Sequence, residues 1–574
     1  MAPDPLGVFH GDDAFPIAWR EGERELFWVL DDLHCPNPLS PMFFDIGGWW
    51  LTCDHMFRRF GTPFAADWIA KEVNGYLYTA AIPADPSVRV EAGEYDSRYV
   101  ARVPEDAAYA PRIGAYLGSV LPHYAASFMD WWRDRLRPEI ERNFAFLDGF
   151  EMEGADLVSL AVLLEDAIDI HDRHWKIHWM INFSQFSATM ALNGAIAEVR
   201  PDADPSLPGR LQSSIVDRNW DSIEALLRMK SEVVADAELR AAFGAENAAG
   251  VIAALGSSER GRRFLAESLD PYRAEFGRKA IWSHEFVYPT WFEQPAPIIE
   301  AVRGYVESDY DYPTTLAAVQ ADLDAAVAEL LDGVPPGAER DGLQAALDLS
   351  LGMNPLTPDH HFFIDQGTNA RLRLVLIAIG RKLAAAGVLD DAEDVMFLRY
   401  NELRPVLGDP SSLDARALVG ERRDAREAAF DVRPPDWVGT ATEDALAFPY
   451  LTLWGFPEKF HRPRSHSTDQ IVGLAASAGI VEGTARIVES LDEFDLVQPG
   501  EVLVCRMTNP AWVVLFTKIG GLVTDAGGMA AHPAVVAREF SLPAVVGTSN
   551  ATQRIRTGQR VRVNGATGIV DVLE

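Results

Sequence analysis

The sequence predicts a multidomain protein in which a large, mostly α-helical region is followed by a C-terminal α/β domain. Three observations predict it. The chain has 574 residues, too many for one hydrophobic core. From about residue 112 to 440 the apolar residues recur at helical spacing, as in Leu117, Val120 and Leu121 or Leu157, Leu160, Leu163 and Leu164. Beyond residue 470 short Val/Ile runs alternate with glycine turns, the pattern of buried strands.

Residues 1–110 read as mixed α/β. Asn74-Gly75 followed by Tyr76–Pro83 is a turn leading into a strand. Upstream, Trp28–Pro41 contains His34 and three prolines, Pro36, Pro38 and Pro41, whose fixed φ imposes a rigid loop rather than a helix. Residues 111–455 form the helical region, with Ala-rich windows at Thr315–Leu331 and Gly342–Leu351. Pro434-Pro435 and the polar, Pro-bearing stretch Phe456–Thr468 read as linker, giving a hinge at 456–470 before a last domain at 471–574. That domain contains a strand, a tight Gly527-Gly528 turn, His532, a short helix and a second strand.

Composition limits the function classes. A formal net charge of −34 repels nucleic acid and anionic membranes, so neither is an expected partner. No apolar run is long enough to span a bilayer, and the first residues lack the basic-then-apolar pattern of a secretory signal. Cys35, Cys53 and Cys505 are scattered and odd in number, which argues against a disulfide framework and a cysteine zinc site. A cytoplasmic location is expected.

Eight of the 13 histidines fall at four places before the last domain: His34, the set at 171, 174 and 178, His360-His361, and His461 with His466 in the linker. His171, His174 and His178, spaced by three and four, share one sector of a helix together with Trp175 and Trp179. Such a face can supply a general base, pack in a core, or bind a divalent metal, in that order of preference; no metal is expected. The second group is His360-His361, with Asp365, Arg371 and Arg373 close behind. It reads either as substrate-binding or as helix caps and a structural ion pair. His34 and Trp175 join the expected substrate-binding set with His360, His361, Asp365 and Arg371. Fifteen tryptophans, several beside histidines, suit a flat aromatic ligand, although large helical domains also bury tryptophan for packing.

His532 stands at or just inside a helix N-terminus, where unpaired backbone N–H groups favour an anion. An imidazole placed there can take a phosphoryl group. Around it, Gly473–Val488, Gly500–Val504, Thr524–His532, Ala537–Glu539, Pro543–Gly547 and Gly558–Gly568 together resemble the mobile domain of the phosphoenolpyruvate-utilising enzymes. By this resemblance the C-terminal fold is a swivelling β/β/α phosphohistidine domain and His532 is the phosphate carrier. Thr524, Gly527, Gly528 and Arg538 then bind the phosphate. The family usually has Ser, Thr or Cys before the histidine; this chain has Ala531. The segments at Trp28–Pro41 and Asp359–Leu398 are similar to the substrate domain of the rifampin phosphotransferases, which makes 111–455 a substrate-binding domain.

No Walker-type motif and no stretch similar to an ATP-grasp half is present in the sequence. The resemblance therefore implies one subunit of a split phosphotransferase. ATP and Mg2+ act through a separate ATP-grasp subunit, this chain itself binds no cofactor, and the phosphoryl group passes from His532 to a hydroxyl, phenolic or aromatic, of a small molecule. The alternative is an ATP-independent dehydratase, lyase or isomerase acting on an aromatic or polyketide-like molecule, with unphosphorylated His532 as general acid/base. A regulatory binding module is the third possibility.

Overall fold

The computed structural model describes residues 7–60, 65–83, 109–204, 207–307, 311–409, 411–442, 469–489, 491–508, 512–516, 518–528, 532–540 and 542–573. Residues 456–468 of the expected hinge, with His461 and His466, lie outside the described residues. Two compact units divide the chain. The first takes residues 1–189, 284–287 and 363–457, and the second 190–283, 288–362 and 458–574.

The first unit is built on strands β1 (Gly7–Phe9), β2 (Phe27–Leu30), β3 (Ala65–Val73), β4 (Tyr76–Pro83) and β5 (Trp437–Ala441). They form an antiparallel sheet in the order β1-β5-β2-β4-β3. Asn74 and Gly75 join β3 to β4 with φ of 51° and 84°, the two left-handed residues that a tight hairpin turn needs and that the Asn-Gly pair predicts. Strand β5 was not expected: it follows Pro434-Pro435 and inserts between β1 and β2. Its Gly439 has φ +93°, and a Cβ there would run into the Leu26 carbonyl, so glycine is required. Trp28, Tyr76, Tyr78 and Val438 are buried together on the sheet. The two phenols keep hydrogen bonds, Tyr76 donating to Ala429 O at 3.0 Å and Tyr78 to Pro435 O at 2.7 Å. Burial therefore leaves neither hydroxyl unsatisfied. The helices of this unit include Tyr109–Trp131, Arg137–Asp148, the first part of Leu157–Val199, Gly367–Ala385 and Ala415–Phe430.

The second unit contains the helices Arg218–Ala235, Ala296–Glu307, Tyr312–Leu331 and Ala338–Met353. Leu192, Leu207, Leu211, Ala326, Leu330, Leu343 and Leu347 form one of its cores. Its sheet comprises β6 (Gln470–Val472), β7 (Leu474–Ser477), β8 (Ile480–Ile487), β9 (Val502–Cys505), β10 (Gly521–Thr524), β11 (Ala544–Val546), β12 (Arg560–Asn564) and β13 (Ile569–Leu573). The order is β6-β13-β12-β8-β9-β10-β11-β7. The run β8-β9-β10-β11 is parallel, and every residue of β9, β10 and β11 is buried. Continuous apolar strands without alternation are what a parallel sheet covered on both faces demands. The helix His532–Glu539 connects β10 to the parallel β11. Among the described residues no helix is long and apolar enough to cross a membrane.

Thus the largely helical region and the C-terminal α/β domain expected from the sequence are both present.

Candidate functional site

In the second unit the site forms at the carboxyl ends of parallel strands, where open α/β sheets bind their ligands. Strand β10 ends at Thr524, and the chain passes through Asp525, Ala526 and Gly527 towards the helix that begins at His532. Gly527 has φ +118°, a conformation that side chains rarely adopt. A Cβ on Gly528 would meet no described atom within 4 Å, so the space beside it is open. Strand β9 ends next door at Cys505, and Thr508 follows it. The Thr508 hydroxyl lies 2.9 Å from His532 Nδ1. A hydroxyl that Ala531 lacks thus reaches the imidazole from a neighbouring strand end.

His532 is partly buried. Burial first, and then the charge of nearby His361, holds its pKa well below the ordinary histidine value. It is a neutral imidazole at physiological pH. With Nδ1 facing Thr508, Nε2 is the nitrogen left for other partners. His361 therefore bears directly on His532. Its ring lies 4.1 Å from that of His360, whose Nδ1 is 2.8 Å from the Leu356 carbonyl.

The expected phosphate-binding side chains have other duties in this structure. The Thr524 hydroxyl is buried and donates to Ala526 O at 2.6 Å, which shapes the turn. Arg538 donates to Ala534 O of its own helix at 3.0 Å and to Gly209 O at 3.2 Å. Asp525, which sequence reasoning missed, accepts from Thr552 N at 3.0 Å and from the Thr552 and Thr548 hydroxyls. Burial raises its pKa. It ties β10 to the segment after β11.

In the first unit the helix Leu157–Val199 carries His171, His174 and His178 on one side, as the spacing predicts. Their surroundings differ. Trp175 Nε1 donates to His171 Nε2 at 2.9 Å, and the same nitrogen lies 3.2 Å from Gly47 O and 3.1 Å from Asn369 Oδ1. The Thr368 hydroxyl donates to Phe363 O at 3.1 Å, so it accepts from His174 Nδ1–H at 2.8 Å. His174 Nε2 is left to accept from the Asn143 amide at 3.0 Å. Both nitrogens of His174 are committed, and burial, with His171, Arg371 and Arg173, pushes its pKa down to about 3. His178 Nε2 stands 3.6 Å from Asp365 Oδ1.

Arg371 makes a bidentate pair with Asp148 at 3.0 and 2.7 Å and lies over the Phe144 ring. Arg373 donates to Phe286 O.

His34 lies just beyond β2. Asp31 is fully buried; it accepts from His34 N at 3.1 Å, from Trp49 Nε1 at 3.1 Å, and faces His34 Nδ1 at 2.9 and 3.0 Å. Burial alone would raise the Asp31 pKa, but the charge and hydrogen bonds of His34 more than offset it and hold it low. Conversely, burial alone would lower His34, and Asp31 raises it above the ordinary value. The rings of Trp49 and His284 each stand 5.6 Å from His34, and Trp175 is 5.9 Å from His284. Asp31 and His284 were missed from sequence, whereas Trp49 was among the tryptophans expected to suit a flat ring. Only the prolines at 36, 38 and 41 signalled that the loop around His34 was fixed.

Two known families match this chain. Residues 497–568 match the PEP-utilising enzyme, mobile domain, and residues 179–354 match the rifampicin phosphotransferase fourth domain. His532 falls inside the first match, whereas His34, His171, His174 and His178 lie outside both. A chondramide synthase of Chondromyces crocatus is 30% identical over 97% of this chain and 14% of its own length. The phosphotransferase YvkC of Bacillus subtilis is 28% identical over 70% of this chain and 47% of its own. A rifampicin phosphotransferase of Streptomyces sviceus is 30% identical over 54% of this chain and 34% of its own. The chain thus spans less than half the length of each of these relatives. Residues 179–354 are thus similar to a rifampicin phosphotransferase fourth domain, and residues 497–568 to the mobile domain of the PEP-utilising enzymes.

Proposed function

We propose that the protein is a phosphotransferase in which His532 Nε2 carries a phosphoryl group to the hydroxyl of a small aromatic molecule held by the helical part of the chain. The observation that supports this best is the neutral, partly buried imidazole at the start of the His532–Glu539 helix, with Thr508 against its Nδ1. If Thr508 accepts the Nδ1 proton, the Nε2 lone pair carries no proton and can act as a nucleophile. The N-terminal amides of the helix and the Gly527-Gly528 turn stabilise the charge.

The phosphoryl group comes from ATP and Mg2+ through a separate ATP-grasp subunit in the cytoplasm, and residues 471–574 move as the carrier. Transfer to the acceptor is driven by in-line positioning and by removal of the hydroxyl proton. Of the helix-face histidines, His174 serves as a support, because both its nitrogens already face protein partners, and the Nε2 of His171 is engaged as well.

The test is intact-mass analysis after incubation with ATP and Mg2+, with and without an ATP-grasp protein. The reading expects an acid-labile gain of about 80 Da, one phosphoryl group, that depends on the partner and is absent from His532→Ala. No adduct under any charging condition would overturn it and leave His532 as a phosphate-free general acid/base.

A further inference from the structure

We infer that Asp525 is a positioning residue for His532: it pins the turn ahead of that histidine and so holds the imidazole against Thr508 in a single tautomer. This rests on the phosphotransferase reading for its consequence, but not for its geometry.

All the residues concerned lie in the second unit, at the carboxyl ends of the neighbouring parallel strands β9, β10 and β11. Asp525 is the first residue after β10 and stands just ahead of the Gly527-Gly528 turn. Its bonds run to both neighbouring strands. Towards β9, Asp525 N donates to Cys505 O at 3.1 Å and Ala526 N to Arg506 O at 2.8 Å. Thr508, which meets His532 Nδ1, follows Arg506 on that segment. Towards the chain after β11, Asp525 O accepts from Ser549 N at 2.8 Å. The carboxylate works on the same side. Its Oδ1 accepts from Thr552 N at 3.0 Å and shares the Thr548 hydroxyl, at 3.3 Å, with Thr524 O. Its Oδ2 accepts from the Thr552 hydroxyl. One residue therefore ties the ends of all three strands.

The backbone it restrains does not hold itself. Gly527 has φ +118°, and Ser549 has φ +67°, a left-handed conformation that serine, unlike glycine, adopts at a cost. Burial raises the Asp525 pKa, and the hydrogen bonds from Thr552 and Thr548 and the charge of Arg506 oppose that rise. A desolvated carboxylate stays in place through such donors, and they through it. Without it the segment around Ser549 can relax, and the turn that leads to His532 loses its anchor. A neutral imidazole has two tautomers, and the partner of one nitrogen decides between them. Loosening the turn weakens the 2.9 Å contact with Thr508 and lets the tautomers mix.

A structural tie alone would lower the melting temperature and leave the imidazole of the folded protein unchanged. The first measurement therefore reads the imidazole, by nitrogen NMR of the full chain carrying isotopically labelled histidine, with the His532 signals assigned by their loss in His532→Ala. Wild type should show one tautomer at neutral pH, and folded Asp525→Ala both in exchange. Asp525→Asn, whose amide oxygen still accepts and whose NH2 group can donate to the Thr552 hydroxyl, should restore the single tautomer. If Asp525→Ala does not fold, Thr552→Val takes its place with the same expectation, since it removes one hydroxyl and keeps the backbone donor. Mixed tautomers in wild type, or the wild-type tautomer in folded Asp525→Ala or in its replacement, overturn the inference.

The second measurement follows loading of phosphate on His532 from ATP and Mg2+ with an ATP-grasp partner. Asp525→Ala should load about 10-fold more slowly than wild type, and Asp525→Asn close to wild type. Equal loading by Asp525→Ala and wild type overturns the inference. Failure of wild type to load counts against the phosphotransferase reading alone, because the imidazole measurement stands without it.

Discussion

Thr508 Oγ1 lies 2.9 Å from His532 Nδ1, joining the end of β9 to the start of the helix that follows β10. On the proposed function, this contact selects the nitrogen that reacts. Thr508→Val removes the hydroxyl while keeping the shape, so both nitrogens compete for the proton. Phosphohistidine formation is expected to slow by about 10-fold, the equivalent of one hydrogen bond of roughly 1.4 kcal/mol. Thr508→Ser should restore it. Rates of loading measured by intact mass check both.

The pH dependence of loading follows from the lowered His532 pKa. A histidine in water gains its proton near pH 6.5 and stops acting as a nucleophile. His532 stays neutral below that value, because burial and His361 oppose its charge. Loading should therefore remain level from pH 8 through 6.5 and fall only at more acid pH. The same shift costs stability in acid. Below about pH 6.5 the unfolded chain binds a proton that the folded chain does not, so His532→Gln should lessen acid destabilisation. Denaturant melts at pH 5 and pH 7.5 read this out.

His174→Ala removes the partner of both Thr368 and Asn143 inside a buried network. The buried Thr368 and the partly buried Asn143 then each lose a hydrogen bond, which should cost about 2–4 kcal/mol of stability. Protein that remains folded should still load phosphate on His532. A melt and a loading assay on the same preparation separate the two effects.

The sequence already contained the glycine turn before His532, the helix that starts there and the Asn74-Gly75 hairpin, because each depends on residues within a few positions of one another. The spacing of His171, His174 and His178 placed them correctly on one helix side. It could not reveal their roles, since Thr368, Asn369 and Asn143 are distant in sequence and decide which nitrogens are engaged. Strand β5 was hidden for the same reason: its partners β1 and β2 lie more than 400 residues upstream. Thr508 carried no signal of its own, because one threonine after a strand becomes informative only when β9 and β10 are paired.

Arg371 was expected near substrate, and the structure pairs it with Asp148 through two hydrogen bonds. Lysine cannot reproduce that fork. Arg371→Lys should destabilise the first unit by about 2 kcal/mol, less than a fully buried pair because Asp148 is 29% exposed. The companion Arg371→Lys/Asp148→Asn double substitution should cost less than the sum of the single changes. Thermal melts of the cycle test it.

Lys279 is buried over the Trp291 ring at 4.1 Å, with Ser222 Oγ at 3.3 Å and the Tyr272 hydroxyl at 3.4 Å from its Nζ. Burial pushes its pKa down to about 7 from 10.5. Between those values the unfolded chain binds more protons, so stability should rise as pH climbs from about 7 towards 10. Lys279→Met keeps the length and removes the charge. It should stabilise the protein at pH 7 by about 1–3 kcal/mol and flatten that rise. Chemical denaturation at pH 7 and pH 9.5 decides the matter.

The carrier role of His532 is tested most directly by locating the phosphoryl group at the residue level. The protein, loaded with ATP, Mg2+ and an ATP-grasp partner, is digested at alkaline pH, where phosphohistidine survives, and the peptide spanning His532 is sequenced by mass spectrometry. The account predicts phosphate on His532, bonded through Nε2 by phosphorus NMR and lost in mild acid. Phosphate on another residue, or a bare His532 peptide from a fully charged reaction, would contradict it.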